Sequence, residues 1–177
     1  MKKDEIDLRE NNIIFNLNSY EDIFSDFDLA DYKVRALSDD FIIECRKASI
    51  DKKQVFNLIF SCNNLKRSKK SEKQIIKRLE NHFDKHYKEK KKEFHQIKKT
   101  GFMWFLFGGI IMSCAAFFHY KEGFLFDILT IFSEPAGWFM FWEGLAKVFI
   151  ESKKELPHYR FYEKLSKAKI IFSSKYK

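Results

Sequence analysis

Glu134 is the residue whose surroundings most suggest chemistry, because it interrupts an apolar segment running from Phe124 to Ile150 and is followed at once by Pro135. An acid at mid-membrane depth costs about 2.5–3.5 kcal/mol unless it faces other protein or a water-filled path. Pro135 has no N–H, so the carbonyl one turn earlier is released and could line a cavity. Two readings follow. Glu134 lines a cation path in an oligomer, or it sits at a re-entrant turn or caps a half-helix that starts at Pro135, with a structural role only. Glu143 precedes Lys147 by four residues, the favourable order for an intrahelical ion pair.

Other groupings are weaker. Asp26, Asp28 and Asp31 offer oxygen ligands for a divalent cation but lack the glycine and further ligands of a calcium loop, so contact with basic residues 66–99 or loop-backbone hydrogen bonding is expected. His82 and His86 are one helical turn apart with no third ligand in view, which reads as a packed or solvated face. The nearest approach to a nuclease element, Glu44-Cys45-Arg46-Lys47, has arginine where lysine is needed. With no phosphate-cradling glycine loop, nucleophile elbow or histidine triad, no enzyme is expected and no cofactor or metal is assigned. Trp104, Trp138 and Trp142 read as packing or interfacial aromatics.

The elements that would hold these residues begin with Gly101–Tyr120, which contains no Asp, Glu, Lys, Arg or Pro. Its length as a helix matches a bilayer core of roughly 30 Å. Phe124–Ile150 is a second, less uniform span, its large apolar residues offsetting Glu134, and it should kink or break near Pro135. Lys121-Glu122-Gly123 is the turn between them. Gly109 with Ser113, and Ser133 with Gly137, are small-xxx-small pairs that permit close helix packing, within one chain or between copies.

Charge gives the orientation. Residues 1–51 carry 7 basic against 13 acidic side chains, residues 64–99 carry 14 against 5, and the net charge is +8. Lys85, Lys88, Lys90, Lys91, Lys92, Lys98 and Lys99 precede the first span, Lys153, Lys154 and Arg160 follow the second, and only Lys121 lies between. The positive-inside rule therefore places both termini in the cytosol. The same lysines would attract anionic head groups; nucleic acid is a second partner class for such a stripe. The first residues lack a signal-peptide apolar core, and Cys45, Cys62 and Cys114 suit a reducing compartment as packing residues.

The remaining chain reads as an α+β domain. Asn12–Leu17, Val55–Cys62 and Ala168–Ser173 are expected strands of one sheet, the second closed by Asn63-Asn64. Ser19–Tyr32 reads as an ordered loop, and Ser38–Ser49 as a helix capped by Ser38 and buried through Phe41, Ile42, Cys45 and Ala48. From Ser71, the stripe Ile75, Leu79, Phe83, Tyr87, Phe94 and Ile97 predicts a basic helix that continues into the first span, about fifty residues in all. The resulting division is 1–70, a cytosolic N-terminal part; 71–100, a basic juxtamembrane helix; 101–120 and 124–150, a transmembrane hairpin; and 151–177, a cytosolic helix and strand completing the sheet.

Three segments, SYEDIFSDFD (Ser19–Asp28), RALSDDF (Arg35–Phe41) and EPAGWFMFWEGL (Glu134–Leu145), together resemble a family of small, largely uncharacterised bacterial membrane proteins with two spans. The resemblance covers residues 12–175 and implies a two-span protein of the bacterial inner membrane, without naming an activity. The function expected is that of a non-enzymatic, homo-oligomeric membrane protein with a cytosolic domain that senses a ligand or docks a protein partner, and a pore or membrane-perturbing segment. The alternative is an interaction or scaffold module tethered by purely structural spans.

Overall fold

The computed structural model describes residues 12–50, 52, 56–62 and 67–174. Val55, the Asn63-Asn64 turn and the N-terminal eleven residues lie outside them. The elements in order are β1 (Asn12–Asn16), a 3-10 turn (Tyr20–Ile23), α1 (Asp39–Ile50), β2 (Asn57–Ser61), α2 (Lys69–His119), α3 (Phe124–Ala146), a π-helical turn (Lys147–Glu151), α4 (Ser152–Lys167) and β3 (Lys169–Ser173). They fall into two units: Met1–Lys88 with Arg160–Lys177, and Glu89–Tyr159.

In the first unit the strands form one sheet of order β1-β2-β3, with both pairings parallel. The register sets Ile13, Leu58 and Ile170 in one row and Phe15, Phe60 and Phe172 two residues further along, so both rows point to the same face. That face carries the core. Phe60 and Phe172 meet with ring centroids 5.0 Å apart. Phe41 and Cys45 of α1, Ile75, Leu79 and Phe83 of α2, and Phe161 and Leu165 of α4 join the same buried cluster. The three α2 residues recur every four positions and are completely buried, which is the stripe the sequence shows. Each such side chain contributes roughly 1.5–3 kcal/mol when removed from water.

α1 starts where expected: the Ile42 N–H donates to the Ser38 carbonyl at 3.1 Å, and Asp39 and Asp40 occupy the first turn. It buries Phe41, Cys45 and Ser49, with Ile42 and Ala48 only partly covered.

In the second unit, α2 continues without interruption to His119, and Gly123 turns the chain with a φ of 133°, a conformation that glycine alone adopts without strain. The expected break at Pro135 is absent: α3 is helical from Phe124 to Ala146 with Pro135 inside it. One missing N–H removes a single hydrogen bond, and a helix can absorb it by small local adjustments. Regularity is lost later, in the π-turn at Lys147–Glu151, and α4 follows directly.

Two helices are therefore long and apolar enough to cross a membrane. A core helix of a soluble domain would be mostly covered, yet only 17% of the apolar window of α2 and 6% of that of the helix beginning at Phe124 are buried. Phe102, Phe107, Ile110, Phe124, Phe132 and Phe139 are more than half exposed, and apolar surface left bare in this way marks a contact with a membrane or with other protein.

Candidate functional site

The hairpin of the second unit is closed by glycines spaced seven apart, Gly101 and Gly108 on α2, and Gly137 and Gly144 on α3. A Cβ placed on Gly108 would lie 2.4 Å from the Phe141 nitrogen, and one on Gly144 2.3 Å from the Phe105 nitrogen. The two backbones touch where side chains are missing. Phe105 and Phe141 pack beside this contact with centroids 4.6 Å apart, and Trp104 meets Phe139 edge-on at 6.3 Å. Of the two small pairs read from the sequence, Gly137 takes part in the contact, whereas Gly109 has nothing within 4 Å of its Cβ position.

The acids of α3 differ sharply from one another. Glu143 is half-buried and bonded to Lys147 at 2.6 Å, and Lys147 also reaches Glu151 at 3.4 Å. Asp127 and Glu134 are exposed and, among the described residues, neither side chain has a hydrogen bond or ion pair. Pro135 is exposed next to Glu134. Two span hydroxyls are satisfied within their own helices, Ser113 donating to the Gly109 carbonyl at 2.8 Å and Thr130 to the Phe126 carbonyl at 2.9 Å. Trp138 and Trp142 lie beside each other in a tilted arrangement with centroids 5.6 Å apart, both half exposed.

The basic residues lie along α2. Lys88 pairs with Asp84 at 2.6 Å, Lys90 with Glu93 at 2.6 Å, and Lys98 sits over the Phe94 ring at 4.6 Å. Lys85, Lys88, Lys91, Lys92, Lys98 and Lys99 are exposed, and Lys90 is half-buried. The helix therefore presents its lysines to solvent despite several local pairs.

In the first unit the structure joins two of the three sequence motifs. The Ser25 N–H donates to the Ala36 carbonyl, the Ser38 N–H to the Ile23 carbonyl, and Phe24 bridges Leu37. Arg35 binds the Glu21 carboxylate and donates to the Ser25 carbonyl at 3.1 Å, and Arg78 of α2 donates to the Arg35 carbonyl at 2.9 Å. Asp28 accepts from the N–H groups of Ala36 at 2.6 Å and Ala30 at 3.0 Å, and these bonds hold its carboxyl below the usual range. The acidic loop is thus folded by backbone hydrogen bonds. The sequence gives no sign of its outer surface, where Phe27 is 99% and Leu29 91% exposed.

A second network, buried at Tyr20 and Glu72, was also invisible in the sequence. Arg67 grips Glu72 at 2.8 and 2.9 Å, and the Tyr20 hydroxyl donates to Glu72 at 2.9 Å. These bonds hold the Glu72 carboxyl low, Arg67 making the largest contribution. His82 and His86 lie 4.3 Å apart, and His86 stacks on Tyr162 at 5.2 Å. Burial, helped by His86, Arg78 and Lys85, lowers His82 to about 4. No cluster of three metal-ligating side chains forms among the described residues. The Glu44–Lys47 stretch does not converge on a site: Glu44 pairs with Lys47 at 2.7 Å, Arg46 stacks over Phe161, and burial pushes the Cys45 thiol up.

No protein-family model matches the chain, and no curated protein or solved structure matches it.

Proposed function

We propose that this chain is a non-enzymatic, two-span protein of the bacterial inner membrane whose copies assemble, with a cytosolic unit that senses a ligand or docks a protein partner and a Glu134-bearing helix that conducts ions or perturbs the bilayer. One observation carries this reading: the two longest apolar helices leave most of their surface bare and place an unpaired carboxylate, Glu134, at the middle of that surface, with Asp127 in the first turn of the same helix. Lipid covers bare phenylalanine and leucine well. It covers a bare carboxylate badly, at about 2.5–3.5 kcal/mol near the bilayer centre, so Glu134, at the middle of α3, calls for other copies or a water-filled path. Several copies of Glu134 around a path would form an acidic ring favouring cations.

The lysines before α2's apolar half and their scarcity at the turn support an orientation with both termini in the cytosol. The exposed residues among Lys85–Lys99 fit anionic head groups, each adding on the order of 1 kcal/mol near the surface. Nucleic acid is the less favoured partner, because the stripe adjoins the span.

Glu134→Gln keeps shape and removes charge, so protein reconstituted in vesicles should assemble normally and lose cation flux, and Glu134→Lys should abolish cation preference. Wild-type protein that is electrically silent, together with a Gln variant normal in cells, would favour a second reading: a tethered interaction or scaffold module. The continuous path of α3 through Pro135 supports that alternative, since the chain makes no re-entrant turn there.

A further inference from the structure

The glycine contact that closes the hairpin leaves one notch unused. Gly109 follows Gly108 and so points about 100° away around α2. Together with Leu106, Ile110, Ser113, Phe117 and Phe141 it lines an open apolar groove of about 540 Å³. The floor is polar-satisfied, because the Ser113 hydroxyl turns back onto the Gly109 carbonyl. A helix can approach this floor as closely as α3 approaches Gly108.

Phe141 locates the carboxylates relative to the groove. Glu134 and Asp127 precede it by seven and fourteen residues, two and four turns, so all three run along one edge of α3. The edge that contributes Phe141 to the groove therefore also carries both unpaired acids. Lys121 stands two residues beyond α2, and Asp127 is the fourth residue of α3, so each lies within about one turn of the hairpin tip. Copies inserted in one membrane share one orientation, so a neighbour's α2 lies parallel to this one and brings its Lys121 to the depth of Asp127.

Resting on the reading of this chain as an assembling membrane protein, we propose that the Gly109 groove and the adjoining Asp127–Glu134 edge form a contact between copies, in which α2 of a second copy lies in the groove with its Lys121 beside Asp127. The groove supplies close packing and the lysine supplies the missing counter-charge.

Cys114 lines the groove and is exposed, whereas Cys45 and Cys62 are buried, so the natural cysteines report on the contact. Treating the full chain in lipid bilayers with a short bis-maleimide should link copies through Cys114, and Cys114→Ser should abolish the link. Gly109→Leu fills the groove and should cut cross-linking about tenfold or more, equivalent to about 1.4 kcal/mol. Lys121→Asp should weaken it as well, and adding Asp127→Lys should restore it, a rescue that a folding defect would not show. Unchanged cross-linking in Gly109→Leu, or no rescue by the charge exchange, would overturn the contact and leave lipid as the occupant of the groove. An oligomer by mass in detergent that never links through Cys114 would refute this contact while sparing assembly; a monomer at every concentration would refute both.

Discussion

Replacing Gly108 by alanine should loosen the hairpin, whereas the same replacement one residue later should leave its packing alone. The added Cβ at Gly108 would meet backbone atoms only, the Phe141 nitrogen at 2.4 Å and the Gly137 carbonyl oxygen at 2.8 Å, and ordinary contact begins at 3.4 Å. Backbone cannot rotate aside, so α2 and α3 must part by about 1 Å, enough to forfeit a quarter to a half of the dispersion energy across the contact. With an overpacking cost of about 1–3 kcal/mol, the net loss should be on the order of 1–2 kcal/mol. At Gly109 nothing lies within 4 Å, so alanine should change hairpin stability by less than about 0.5 kcal/mol. The measurement is thermal melting by near-ultraviolet circular dichroism, which follows the Phe105–Phe141 and Trp104–Phe139 pairs, at a detergent excess that isolates single copies. Gly108→Ala should lower the midpoint by roughly 2–8 °C. Equal midpoints for the two variants, or a larger loss at Gly109, would refute the close approach of the helices at Gly108.

Deleting residues 167–177 removes β3 and the buried Ile170 and Phe172, leaving a two-stranded sheet that is marginal at best; limited proteolysis of the full-length and truncated proteins should show the first unit losing its resistance, and equal resistance would mean that β3 is dispensable. His82 is lowered to about 4 from an ordinary value of 6.5, so the unfolded chain takes up a proton first as pH falls. The stability contributed by this neutral histidine is thus present above pH 6.5 and lost progressively towards pH 4. Denaturation midpoints should fall across that window and flatten in His82→Gln, and an unchanged slope in the variant would place the proton elsewhere.

Much of the architecture is carried by local periodicity. The stripe through Ile75, Leu79 and Phe83, the uncharged run from Gly101, the β-branched strands and the Ser38 start of α1 are all visible in a single chain, because each depends on neighbours a few residues away. The Glu143–Lys147 pair is legible for the same reason: four residues of helix bring the two ends together whatever surrounds them. Hydrogen bonding within the loop at Asp28 is likewise a local matter.

Tertiary structure decided what depends on how elements meet. A strand's own residues do not say whether its neighbour runs parallel, and here the direction follows from the crossovers linking β1 to β2 and β2 to β3. Spacing alone singles out Gly109 with Ser113 and Ser133 with Gly137, yet the rotation of α2 against α3 keeps only Gly137 of these and adds Gly101, Gly108 and Gly144, since only one side of each helix can face the other. Pro135 is a breaker by local rules, yet α3 passes through it, the single missing N–H being absorbed within a helix that continues on both sides. The full exposure of Phe27 and Leu29 and the gripping of Glu72 by Arg67 and Tyr20 arise from segments brought together only on folding. Sequence alone therefore determined which stretches are helical, apolar or charged, and the folded chain decided which faces are covered, because coverage is a property of pairs of elements.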